Sequence, residues 1–277
     1  GLLAISNSSA QEAIKYLRVN PKKVFNISSA CNEEIFNKES DINPLVSINV
    51  LDFSPFILYS GAIDPRKNVK SLLEAFSKLP LELDDYKLVL VGKLLPIEEE
   101  TIDTWINLFK ITPTRVIRTG YLSDYDLVEL YRTCELFVFP SLHEGFGLPV
   151  LEAMACGAPV IGSNCTSIPE VIGMQSAMFD PTNVNDIKDL ISEALTSQSF
   201  NDALRKNALV QSKKFSWFHT AQAVINACEL IIGPKQNNIK DLDWKNLIHK
   251  KEKYLDLLFL KLRKIKGIKK FKRQNSF

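Results

Sequence analysis

His143-Glu144-Gly145-Phe146-Gly147-Leu148-Pro149-Val150-Leu151-Glu152 is the stretch on which the reading of this chain turns. It follows Glu135-Leu136-Phe137-Val138-Phe139-Pro140, an apolar run of strand length, and leads into Pro149-Val150-Leu151-Glu152-Ala153-Met154-Ala155, which reads as a helix with proline in its first turn. A strand that feeds a glycine-rich loop and then a helix presents unpaired backbone N–H groups and the positive end of a helix dipole to whatever lies in front of it, which makes an anion site. Glu144 in the loop and Glu152 one turn inside the helix bracket that site, with seven residues between them. Phosphates in the middle and hydroxyls at both ends describe a nucleotide sugar.

Outward from this stretch the chain alternates short apolar runs with helical segments. Strands are expected at 56–60, 87–92, 115–119, 136–140, 159–162 and 177–179, and helices from Ser123 to Arg132 and over 184–195, 202–212 and 217–232. Continuous apolar strands between helices predict an α/β fold, a Rossmann-like parallel sheet covered on both faces. Ahead of it, 2–5 and 24–28 read as short strands and 9–17 as a helix, followed by a polar segment through Asn43-Pro44.

In order and spacing these motifs resemble those of retaining glycosyltransferases of the large family 4 type. Members carry two glutamates in this strand-loop-helix context, then stretches like Ala155-Cys156-Gly157-Ala158-Pro159-Val160-Ile161-Gly162-Ser163 and Ile168-Pro169-Glu170-Val171-Ile172. Upstream they carry a loop like Gly61-Ala62-Ile63-Asp64-Pro65-Arg66-Lys67-Asn68. The resemblance, which runs from about residue 55 to about residue 232, implies the C-terminal, donor-binding half of a GT-B enzyme. Residues 1–44 would then be a remnant of the N-terminal domain with the interdomain linker, 45–235 the nucleotide-sugar domain and 236–277 a basic tail. The chain starts at Gly1 as though cut from something longer, and the missing N-terminal domain would hold a glycan or lipid-linked acceptor.

The resemblance also implies roles. Glu144 accepts hydrogen bonds from the donor sugar's hydroxyls and Glu152 from the ribose diol. Arg66 and Lys67 follow Pro65 near a helix start, where the dipole disfavours cations, and at the carboxyl end of a strand, where ligands collect. They are expected to neutralise the diphosphate and to stabilise the leaving nucleoside diphosphate. Members often have an arginine directly after the strand's glycine, where this chain has Ala62, and Arg66 is the substitute it offers. Gly61, Gly145, Phe146, Gly147 and Leu148 complete the donor loops; Gly145 and Gly147 are either ordinary turn glycines or, as preferred here, let backbone approach sugar and phosphate, and the Phe146 side chain suits packing more than chemistry. Gly92, Lys93, Tyr121 and Leu122, at neighbouring strand ends, are expected to frame the base. No enzymic nucleophile, metal or cofactor is implied. The donor is expected to be GDP-mannose, with a UDP-sugar next, and the setting bacterial surface-polysaccharide synthesis. A non-catalytic domain that keeps the fold for assembly is the rival, opposed by the joint presence of Lys67, Glu144 and Glu152.

Other classes are excluded or disfavoured. There is neither a Gly-x-x-x-x-Gly-Lys-Ser/Thr loop nor a Gly-x-Gly-x-x-Gly after the first strand, which argues against an ATPase or a dehydrogenase. The five cysteines are odd in number, scattered and without a Cys-x-x-Cys pair, so neither a disulfide framework nor a zinc site is suggested and a reducing, cytoplasmic setting is expected. From Lys245 to Phe277 the net charge is +10, against −8 for the residues before it. Within that tail Leu255, Leu258, Leu262, Ile265, Ile268 and Phe271 recur at spacings of three and four. A basic amphipathic helix over 246–271 on an anionic membrane is one reading, and a helix packed on the missing domain or a solvated tail is the other. Without an aromatic platform, nucleic acid is not an expected partner.

Overall fold

The computed structural model describes residues 1–39 and 54–232, so the boundaries expected near residues 44 and 235 and the helix expected over 246–271 lie outside the described residues. Gly1–Ala227 form one compact unit. Its N-terminal part is β1 (Leu2–Ala4), α1 (Asn7–Leu17) and β2 (Val24–Asn26), the two strands pairing in parallel with Leu2 opposite Val24. The rest is built on six parallel strands: β3 (Phe56–Ser60), β4 (Lys87–Val91), β5 (Val116–Gly120), β6 (Leu136–Phe139), β7 (Val160–Ser163) and β8 (Met178–Phe179). Interleaved are α2 (Val69–Ser77), α3 (Pro96–Leu108), α4 (Asp124–Thr133), α5 (Leu148–Ala155), α6 (Ile168–Ile172), α7 (Val184–Thr196) and α8 (Gln198–Ser212). The last described helix is α9 (Trp217–Ile232).

The strands are apolar on both faces because both faces are covered: Ile57, Leu58 and Tyr59 of β3 and Phe137, Val138 and Phe139 of β6 are fully buried. Sheet order is β5-β4-β3-β6-β7-β8. The chain therefore works outward from β3 to β5, returns to the other side of β3, and works outward again from β6 to β8. Connections leaving β3 and β6 run in opposite directions, which makes the carboxyl ends of those two central strands the topological switch point, where ligands bind in sheets of this kind. That switch point is where the sequence puts Lys67 and Glu144.

Local chemistry accounts for where elements begin and end. α1 starts at Asn7, two residues before the expected position, because the Ser6 hydroxyl accepts a hydrogen bond from the Ser9 N–H and caps the helix. α8 starts at Gln198 instead of residue 202 for the same reason, with Ser197 capping through the Phe200 N–H. β4 stops at Val91, one residue early, because Gly92 adopts φ +156°, and a Cβ there would collide with the Gly61 carbonyl oxygen. The Gly61 N–H donates to Val91 O at 2.9 Å and the Gly92 N–H to Gly120 O at 3.1 Å, so three glycines close neighbouring strands side by side. Among the described residues no helix is long and apolar enough to cross a membrane.

Candidate active site

Lys67 is delivered by the connection from β3 to α2. Asp64 caps a 3₁₀ turn over Pro65–Lys67 by accepting from the Arg66 N–H, and Asn68 then takes the left-handed conformation at φ 56° and ψ 32°. The Asn68 amide donates to Pro181 O at 2.8 Å and Pro140 O at 3.2 Å, while its oxygen accepts from the Ser71 hydroxyl at 2.7 Å. The Leu142 N–H donates to Arg66 O at 2.7 Å. The loop after β3 is thereby fastened to the loop after β6, and the Lys67 ammonium lies 2.6 Å from Glu144 Oε1. Both side chains are largely buried, at 16% and 13% exposure, and the ammonium sits 5.4 Å from the centre of the Phe139 ring.

Glu144 is held from the other side by the loop after β7. Its N–H donates to Thr166 Oγ1 at 3.0 Å, and the Ser167 hydroxyl reaches Glu144 O at 3.1 Å and Phe146 O at 2.9 Å. Gly147, at φ +102° and ψ 51°, opens α5; a Cβ there would stand 2.6 Å from Ile168 Cδ1, so this position needs glycine. No acceptor among the described residues takes the N–H groups of Gly145, Phe146, Gly147 or Leu148. Of these donors, Gly147 and Leu148 stand at the start of the helix and, next to a buried ammonium, form a site for a phosphate-bearing ligand, with Gly145 and Phe146 in the loop before it.

Glu152, one turn into α5, receives the Tyr131 hydroxyl at 3.3 Å. Burial pushes its carboxyl up to about 7, with Asp124 adding to the rise and the Tyr131 hydrogen bond opposing it. A row of rings joins the two ends of the site: Tyr131 meets Phe137 edge-on at 5.4 Å, Phe137 stacks with Phe139 at 6.1 Å, and Lys67 lies over Phe139.

The structure thus brings Lys67 and Glu144 together, at the loop whose free N–H groups lead into the helix that carries Glu152. Two positions of the donor loop are further defined by their neighbours. The Phe146 ring is buried edge-on against Phe215 at 5.6 Å, so only its backbone is left for a ligand. Gly145 has ordinary space for a Cβ, its nearest neighbour being Ile5 Cδ1 at 3.5 Å, so close approach to a ligand is not what its local geometry demands. Arg66 is exposed and pairs with Asp64 at 3.2 Å. Lys93, Tyr121 and Leu148 are exposed and Leu122 is partly buried against the core, while Gly61 and Gly92 hold the strand ends. All five cysteines are free. Sequence reasoning missed Tyr131, Thr166 and Ser167, which carry no motif of their own, and gave no role to Asn68, although it stands inside the quoted loop.

The family model described as Glycosyl transferases group 1 matches residues 47–211. The serotype-specific mannosyltransferase WbdA of Escherichia coli is 44% identical over 238 residues, which is 85% of this chain and 29% of that relative. The O-antigen chain mannosyltransferase B of Escherichia coli is 33% identical over 83% of this chain and 60% of its own length. The chain therefore spans less than two thirds of either relative. Among solved structures, Anabaena Alr3699/HepE in complex with UDP and glucose superposes with a TM-score of 0.71 at 20% identity, covering 82% of this chain and 62% of that one, and so shares the fold. With more than half its residues matched by the family model, this chain belongs to the Glycosyl transferases group 1 family.

Proposed function

We propose that the chain is the donor-binding part of a retaining glycosyltransferase that moves a hexose from a nucleotide sugar to a growing glycan in bacterial surface-polysaccharide synthesis. The observation that carries this reading is the buried Lys67–Glu144 pair at 2.6 Å beside the free N–H groups that open α5, at the switch point of the sheet. The donor's diphosphate lies at the start of α5, Lys67 with Arg66 stabilises the leaving nucleoside diphosphate, Glu144 accepts from the sugar and Glu152 from the ribose diol. The acceptor hydroxyl attacks from the face the leaving group departs from, and the departing phosphate oxygen takes its proton. Neither a metal nor an enzymic nucleophile enters this scheme.

GDP-mannose is the proposed donor, supported by the mannosyltransferase relatives. A UDP-sugar is the second reading, favoured by the UDP held in the Anabaena structure. Calorimetric titration of the 277-residue chain with GDP, UDP, GDP-mannose and UDP-glucose decides between them. GDP and GDP-mannose are expected to bind and the uridine ligands to bind at least tenfold more weakly, a gap of about 1.4 kcal/mol. Tighter uridine binding would move the donor to the second reading, and silence from all four would leave a non-catalytic domain.

For the tail we propose attachment to anionic lipid at the cytoplasmic membrane face, on the strength of its +10 charge and apolar repeat. Each basic residue near such a surface contributes about 1 kcal/mol, enough in combination for reversible binding that added salt weakens. The chain should sediment with phosphatidylglycerol vesicles but not with neutral ones, and a chain ending at Lys240 with neither. Equal sedimentation of the shortened chain would assign the tail to packing or to a linker.

A further inference from the structure

The donor loop is gripped by a helix more than a hundred residues away in sequence. The hydroxyls of Ser6 and Ser9 lie 2.7 Å and 2.9 Å from Gly145 O and 3.0 Å from each other, and the single Ser6 proton is placed on its shorter contact, the carbonyl. Ser6 is buried, and its oxygen is already the cap of α1 through the Ser9 N–H. α1 has no acidic residue in its own first turn. The anion for its positive end comes from α6: the Glu170 carboxylate accepts from the Asn7 N–H at 2.8 Å and the Ser8 N–H at 2.7 Å. A third tie joins Glu12 to His143, the first residue of the donor stretch, at 2.7 Å. Glu170 and His143 were left without a role by the site as described above.

Two donors on one carbonyl oxygen occupy both of its lone pairs and fix the plane of the peptide to which it belongs. In a trans peptide the N–H of the next residue points opposite to that carbonyl. The next residue is Phe146, whose ring is anchored against Phe215 and whose N–H has no acceptor among the described residues. Gly145 has no side chain to resist rotation, and nothing presses on the place a Cβ would occupy more closely than 3.5 Å. Without the two hydroxyls no hydrogen bond among the described residues is left to this peptide itself, and it is held only through its neighbours, by the Ser167 hydroxyl on Glu144 O and Phe146 O and by the Phe146 ring. With them its N–H is directed away from α1, and a hydrogen-bonded carbonyl polarises the amide into a stronger donor. Phe146 stands two residues from Glu144, at the sugar end of the loop, whereas Gly147 and Leu148 open the helix at the phosphate end.

We propose that Ser6 and Ser9 are positioning residues for sugar recognition: they hold the Gly145–Phe146 peptide with its N–H toward the donor's sugar, and Glu170 keeps α1 in register for them. This rests on the nucleotide-sugar reading of the loop.

The test is calorimetric binding of GDP-mannose, GDP, UDP-glucose and UDP to the full 277-residue chain and four variants. Ser9→Ala leaves the Ser6 cap in place and puts alanine inside a helix, so the fold is retained. It should weaken the preferred sugar nucleotide several-fold, and Ser6→Ala/Ser9→Ala about tenfold or more, as expected when a directed hydrogen bond is lost. The matching free nucleoside diphosphate should stay within about twofold in both, and Ser9→Thr, which keeps the hydroxyl, should restore sugar-nucleotide binding. Unchanged sugar-nucleotide affinity in the double variant, or equal weakening of both ligand types, would overturn the positioning role. The underlying reading fails separately: the unsubstituted chain would then bind no nucleotide, or Lys67→Ala would bind as well as it does.

Discussion

Lys67→Ala is expected to lower the proposed glycosyl transfer by two to three orders of magnitude, about 3 to 4 kcal/mol of lost transition-state stabilisation. The ammonium is preorganised by the 3₁₀ turn and the Asn68 anchors, and is largely shielded from water, where a charge aimed at a leaving diphosphate acts most strongly. The same change leaves the Glu144 carboxylate buried without its partner, which is itself destabilising. Lys67→Ala/Glu144→Gln separates the two effects: it should recover thermal stability without recovering turnover. Glu144→Ala should abolish transfer through loss of the sugar's acceptor, yet leave free nucleoside diphosphate binding nearly intact, because Lys67 is then unneutralised and open to phosphate. Should Glu144→Ala weaken diphosphate binding as severely as Lys67→Ala, the division of labour between them is wrong.

The fold was legible where burial imposes a pattern. β3, β4 and β6 are continuous apolar runs because both faces are covered, and their limits were readable to within a residue. The placing of Glu144 and Glu152 at one loop and helix start was legible because a helix start after a glycine-rich loop leaves a signature in a short window, whereas Lys67 stands in a separate loop before α2 and its meeting with Glu144 is long-range. What the sequence withheld is long-range. No periodicity shows that Tyr131, a buried residue on α4, reaches Glu152, or that Ser6 lies on the carbonyl of Gly145, 139 residues away. Phe146, an aromatic between two glycines, was read as packing more than chemistry, and its ring does pack on Phe215, a partner that no local pattern names. Gly145 and Gly147 look alike in the sequence, yet only Gly147 has a positive φ.

Glu152 should make both stability and donor affinity depend on pH, in opposite senses. Burial raises its carboxyl from 4.5 to about 7. Between those values the folded chain binds more protons than the unfolded one, so its contribution to stability is greatest below pH 4.5 and is lost as pH rises through 7, at a cost of about 3 kcal/mol. Glu152→Gln removes the ionisation, and the ligand-free variant should be progressively more stable than the parent from pH 5 to pH 8 while matching it at pH 4. A ribose diol donates its hydroxyls to the ionised form, so donor binding must draw the proton off. Affinity for the sugar nucleotide, whose doubly esterified diphosphate has no ionisation in this range, should therefore fall as pH drops from 7 to 5. In Glu152→Gln it should be flat with pH and weaker at pH 8 by one to two orders of magnitude, since each charge-assisted hydrogen bond contributes about 1.5–3 kcal/mol. Denaturation midpoints and calorimetric affinities across that range check both arms. A parent chain whose affinity ignores pH while its stability follows the expected slope would mean that Glu152 is a buried carboxyl paired to Tyr131 and that the ribose is held elsewhere.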